Sequence, residues 1–150
     1  MPQSLASILI HLIFSTKNRE RVLTESVADR LWPFLGGIAR EKSMKALAIG
    51  GFIDHIHLLL SIPPTLSVSK AMQLLKGGSS QFIHQTFRTN RHFAWQEGYG
   101  AFSVNVSAAP KTIRYINDQA EHHKKKTFQE EYIALLNKHG IEYDERYVWG

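Results

Sequence analysis

The sequence predicts an α+β fold: a ferredoxin-like β-α-β-β-α-β unit with an antiparallel sheet, followed by C-terminal helices that carry a tyrosine. Three observations predict it. Short apolar segments recur as strands: "SILIHLIFST" (7–16), "MKALAIGGFI" (44–53), "HIHLLLSI" (55–62) and "AFSVNVS" (101–107). Helical spacing separates the first strand from the second and the third from the fourth. More helical sequence then follows the last strand.

The first segment, 7–16, is β-branched and aromatic. "KNRERVL" follows as a basic loop. Thr24 is placed as an N-cap for a helix over 25–42, whose apolar positions are Val27, Leu31, Phe34, Leu35 and Ile38. Pro33 and Gly36-Gly37 predict a kink in it. Gly50-Gly51 and Asp54 mark a tight connection between the second and third strands, and Pro63-Pro64 ends the third. A helix is expected over 67–87, with Gly77-Gly78 as its weak point. "RTNRHFAWQEGYG" reads as an aromatic, basic loop, and 101–107 alternates as a strand should. Pro110 starts a helix through "KTIRYINDQAEHHKKK". A last helix covers about 127–139, with Gly140 as its C-cap.

The 150 residues are read as one domain, 1–150. With 43% hydrophobic residues the chain can build a core, which excludes a disordered segment. The absence of cysteine excludes disulfides, thiolate metal sites and cysteine nucleophiles, and it fits the reducing cytoplasm expected for this chain. No signal-peptide order and no membrane-length apolar run is present, so no membrane role is expected. The formal net charge of +5 points to a polyanionic partner, nucleic acid above all.

Two motifs carry chemistry. His55 and His57 are two apart on a strand and therefore share a face. Two imidazoles so placed form part of a metal site, or else a pair of half-buried histidines bonded to neighbours. Tyr115 and Gln119 are four apart on an expected helix, so hydroxyl and amide reach toward one point. The ordinary alternative is a packed tyrosine and a surface glutamine.

Taken together, His55-Ile56-His57 and Tyr115 with Gln119 resemble the single-tyrosine HUH transposases of bacterial insertion sequences that move as single-stranded DNA. "HLIFSTKNR", "LKGGSS", "WQEGYGAFSV" and "FQEEYIALLNKHGIEYDERYVW" are also similar to that family, in the same order. The resemblance implies a transposase that cleaves and rejoins single-stranded DNA through a 5′-phosphotyrosine, with Tyr115 as nucleophile. It implies a divalent ion, Mg²⁺ or Mn²⁺, held by His55, His57 and Gln119. It further implies single-stranded or hairpin DNA as partner, and a homodimer with trans active sites, the histidines from one chain and the tyrosine helix from the other. REP-associated tyrosine transposases are relatives with the same chemistry.

Arg19, Arg21, Lys76, Arg88, Arg91, Lys111 and Arg114 are candidate DNA-binding residues, joined by Lys124–Lys126; each alone reads equally as a solvated charge. Phe93, Trp95 and Tyr99 are placed either as base-stacking groups or as a loop packed on the sheet. His11 is expected beside the histidine strand in a structural role. Since adjacent helical residues point apart, His122 and His123 are read as surface or phosphate-contacting. A noncatalytic RNA-binding module shares the element order, but the strands lack its exposed aromatic pattern.

Overall fold

A computed structural model describes residues 4–150. Its strands are β1 (Leu9–Ser15), β2 (Lys45–Phe52), β3 (His55–Ser61) and β4 (Gly100–Val104). Its helices are α1 (Glu25–Glu41), α2 (Val68–Thr86), α3 (Ala109–Asn117), α4 (Gln119–His122) and α5 (Phe128–Lys138). The strands form one sheet in the order β2-β3-β1-β4, with every neighbouring pair antiparallel. This is the ferredoxin-like arrangement expected from the sequence.

The pleat divides the sheet residues between two faces. Leu12, Phe14, Ile56, Leu58 and Leu60 join Leu31, Leu35 and Leu75 of α1 and α2 in the main core. The other face carries Leu9, His11 and Ile13 of β1, His55, His57 and Leu59 of β3, and Phe102 of β4, in register. Helices α3 to α5 cover it: Ile116 packs on Leu9, Ala48 and Leu59, while Phe128, Tyr132 and Leu136 pack on Ile13 and Phe102. Strand β3 is therefore buried on both sides, and its histidines face the C-terminal helices.

Several local expectations change. Pro33 lies inside α1 without ending it, and α2 runs unbroken through Gly77-Gly78. Gly50 is not in the β2–β3 turn but under α3: a Cβ there would come within 2.4 Å of the Ile116 carbonyl oxygen. Strand β4 ends at Val104, where Asn105 caps a short 3-10 turn, Val106–Ala108. The helix expected from Pro110 through the lysines divides at Asp118 into α3 and α4. At that division the Gln119 side-chain amide, 3.3 Å away, donates to the Tyr115 carbonyl.

Candidate active site

Both histidines of β3 are fully buried, and both rings are held at their outer nitrogen. His55 Nδ1 lies 2.8 Å from the Asp54 carboxylate, and His57 Nδ1 lies 2.8 Å from His11 Nε2. With Nδ1–H donating to those partners, each ring, when neutral, would present its Nε2 lone pair to the space beneath α3 and α5. His11 is reached on the diagonal, because its direct partner across the β1–β3 pair is Leu59. It takes the structural role expected of it.

Glu131 of α5 fills the space that the two Nε2 atoms face. Its Oε1 is 3.0 Å from His57 Nε2 and 3.3 Å from His55 Nε2. Gln119 Oε1 stands 3.0 Å from His55 Nε2. Tyr115 donates its hydroxyl hydrogen to Glu131 Oε2, and the Gln119 amide nitrogen donates to the same oxygen at 3.3 Å. Ligand atoms of His55, His57 and Glu131 all lie within 4.8 Å of one another, which suits a single metal ion. The donor set of imidazole, carboxylate and amide oxygen fits a divalent cation.

The electrostatics follow from that packing. Burial, reinforced by the His57 ring, lowers the His11 pKa to about 3. Burial lowers His57 to about 4, although Glu131 pulls the other way. Burial also opposes charge on His55, but hydrogen bonds to Asp54 and Glu131 outweigh it and raise this pKa to about 9. Burial by itself would raise the Glu131 pKa; the three imidazoles around it instead hold the carboxyl far below its usual range. Burial and the Glu131 charge push the Tyr115 phenol above its ordinary value. A positive charge brought into the cluster acts in the opposite sense on that phenol.

A family profile described as "Transposase IS200 like" matches residues 4–119, a span that holds His55, His57, Tyr115 and Gln119. The chain belongs to this transposase family. The transposase for insertion sequence element IS200 of Salmonella typhimurium is 33% identical over 120 residues, covering 76% of this chain and 78% of its own length. The ISDra2 transposase TnpA of Deinococcus radiodurans is 28% identical over 114 residues, covering 73% and 81%. Among solved structures, a Deinococcus radiodurans protein described as a candidate transposase superposes with a TM-score of 0.65 at 28% identity, covering 79% of this chain and 98% of that one. A REP-associated tyrosine transposase bound to a REP hairpin shares the fold, with a TM-score of 0.55 at 16% identity over 77% of this chain and 70% of that one. As an IS200-like transposase, the chain is an enzyme of DNA recombination. No helix among the described residues is long and apolar enough to cross a membrane.

Two functional candidates lie beyond the matched span. Glu131 escaped the sequence reading because it follows Glu130, the capping-box partner of Thr127, in what looks like a solvated first turn. Its signal was periodicity: it falls with Phe128, Tyr132 and Leu136 on the buried stripe of α5. His123 is corrected from a surface residue, since its side chain is only 3% exposed and its Nε2 lies 3.1 Å from Gln119 Oε1. The spacing Tyr115, Gln119, His123 was its signal. His122 does point elsewhere, with its ring 4.6 Å from that of Tyr115.

The basic residues separate as well. Lys76 Nζ donates to the carbonyls of Gln96, Glu97 and Gly98 at 2.7, 3.1 and 2.7 Å. It ties the loop before β4 in place. Of the two readings for the aromatic loop, Phe93 and Trp95 take the packed one: both are buried in the main core, Trp95 against Phe14 and bonded to Ser79 of α2. The Arg19 guanidinium lies 5.7 Å from the Trp149 ring centroid. Arg21, Arg88, Arg91, Lys111 and Arg114 are exposed. A cavity of about 290 Å³ on one side of Tyr115 is lined by Lys111, Lys138 and His139, and one of about 530 Å³ on the other by Lys124–Lys126.

Proposed function

We propose that this transposase cleaves and rejoins single-stranded DNA by transesterification, with Tyr115 as nucleophile and a divalent ion held by His55, His57, Gln119 and Glu131. The observation that carries the reading is the pairing of both histidine Nδ1 atoms with Asp54 and His11, at 2.8 Å each. With both rings neutral, as a bound ion requires, it leaves both Nε2 lone pairs aimed at the group that also holds the tyrosine hydroxyl.

The chain's own residues divide the work. Tyr115 Oη bonds to phosphorus, the P–O3′ bond breaks, and the electron pair leaves on the 3′ oxygen. A proton passes, net, from phenol to that oxygen. The aryl phosphodiester so formed retains the reactivity of the broken bond, so a 3′-OH can reverse the step on another strand without a nucleotide cofactor. Glu131 Oε2 fixes the hydroxyl hydrogen and thereby the direction of the attacking lone pairs. The ion, when bound, polarises the scissile phosphate and offsets the negative charge gathered beside the phenol. Lys111 and Lys124–Lys126, in the cavities flanking Tyr115, suit the phosphates on either side of the scissile one.

Single-stranded or hairpin DNA is the expected partner, since the scissile phosphate must reach a recess between sheet and helices. The fold relative bound to a hairpin supports hairpin probes. A labelled single-stranded oligonucleotide incubated with Mg²⁺ or Mn²⁺ tests the whole reading. A covalent 5′ adduct should form, disappear in Tyr115→Phe, and fail to form in excess EDTA. An undiminished adduct in Tyr115→Phe would assign the nucleophile elsewhere, and undiminished cleavage in EDTA would remove the ion.

A further inference from the structure

Histidine 123 sits at the end of α4, where three lysines face solvent, yet its ring turns inward. It stacks on Phe52 at 5.4 Å and meets the His55 ring edge-on at 4.4 Å. Its Nε2 lies 3.2 Å from Glu131 Oε1, the oxygen that His57 and His55 already approach at 3.0 and 3.3 Å. Three imidazole nitrogens thus converge on one carboxylate oxygen, which has two lone pairs to offer. His123 Nε2 also lies 3.1 Å from Gln119 Oε1, which His55 Nε2 approaches at 3.0 Å, so its ring borders both oxygens of the proposed ion site.

The spacing agrees. Donors bound about 2.1 Å from an ion stand about 3.0 Å apart at a right angle and about 3.4 Å apart at the tetrahedral angle. The contacts of Glu131 Oε1 with the three Nε2 atoms, at 3.0, 3.3 and 3.2 Å, fall between those limits.

We propose that His123 is a third imidazole ligand of this site, and that with the Glu131 charge it makes the site take a transition ion such as Mn²⁺ or Co²⁺ without DNA. This rests on reading the cluster as a cation site and adds His123 to the four residues, His55, His57, Gln119 and Glu131, proposed above to hold the ion. The chemistry of the full set differs from that of two histidines and an amide alone in two ways. Two histidines and an amide are all neutral and leave an ion's charge to be balanced by the DNA phosphate. A carboxylate supplies that charge within the protein, and a third imidazole shifts preference away from Mg²⁺, a hard ion that favours oxygen and water.

The test uses the full chain, stripped with chelator and free of DNA, titrated with Co²⁺ while its visible spectrum is followed. One Co²⁺ per chain should bind. His123→Gln should weaken binding at least tenfold and shift the ligand-field bands, and His123→Asp should recover most of the affinity. X-ray absorption on the wild-type Co²⁺ protein should count three imidazoles, which keeps the proposal testable if the variants fold poorly. Two imidazoles, an unchanged affinity and spectrum in His123→Gln, or no binding by the wild type without DNA would each overturn it. Those failures leave EDTA-sensitive adduct formation untouched, whereas cleavage indifferent to EDTA would remove the underlying reading instead.

Discussion

The His11–His57 contact links a strand residue with no place in any motif to one of the two motif histidines. A neutral imidazole carries one hydrogen, so His57 can offer Nε2 to an ion only while its hydrogen sits on Nδ1. His11 Nε2 at 2.8 Å is placed to accept that hydrogen and so to hold the tautomer an ion requires. His11→Phe keeps an aromatic ring in the same place and removes the acceptor. Metal affinity should fall about 10- to 100-fold, the usual cost of losing a partner behind a ligating histidine. Calorimetric Mn²⁺ titration checks this; unchanged affinity would mean that the tautomer is set otherwise.

The same residues govern how the stripped protein responds to pH. His11 and His57 have folded pKa values of about 3 and about 4, below the ordinary 6.5. Between those values the unfolded chain takes up protons that the folded chain refuses, so their contribution to stability is present above about 6.5 and is lost as pH falls toward 4. Glu131, also held low, adds a loss below its ordinary 4.5. His55 runs the other way: raised to about 9, it contributes fully below 6.5 and loses that contribution as pH rises through 9. The melting temperature of chelated protein should therefore peak near pH 6.5, with a shallower acid side in His11→Phe. A flat profile between pH 4 and 6.5 would contradict the histidine shifts.

At the scale of elements, the position of α3 decides whether Tyr115 reaches the cluster. It rests on β2 at Gly50, where backbone meets backbone. Gly50→Ala places a methyl group against the Ile116 carbonyl and must lift the helix. Overpacking of this kind costs about 1–3 kcal/mol, but the displaced hydroxyl should cost far more in rate. Cleavage should fall at least tenfold while a melting curve still shows a cooperative fold. Gly77→Ala is the control. It lies on the exposed side of α2 with nothing within 4 Å of a Cβ, and should raise stability by up to about 1 kcal/mol without changing cleavage. Equal losses in both variants would show that α3 does not depend on this contact. The glycine signal in "IGGF" was legible, but sequence assigns it to the nearest turn. Only the third dimension reveals a helix crossing above.

For the molecule as a whole, the sheet and its element order were legible because strand and helix periods alternate cleanly, and the histidine and tyrosine motifs were legible because their spacings match those periods. Glu131 and His123 were hidden for a physical reason. Each is a polar residue beside a charged run, and inward orientation depends on how α4 and α5 fold back over the sheet. Assembly is a further question of the same kind. In the single chain α3 lies on its own sheet, so Tyr115 meets its own histidines; the composite trans site implied by the family resemblance needs a second chain. The connection between β4 and α3, residues 105–108, is exposed and buries no side chain, so it does not commit α3 to its own sheet. The outer edge of β4 pairs with no other strand among the described residues, and a symmetric dimer can join there. We propose such a homodimer, with α3 exchanged between copies so that the partner's tyrosine makes the contacts seen here within one chain. Mixing His57→Ala protein with Tyr115→Phe protein decides it. Heterodimers with exchanged helices contain one intact site and should regain cleavage at a fraction of the wild-type rate. Failure to regain any, with subunit exchange confirmed by a tag on each variant, would leave the within-chain site of this structure as the working one.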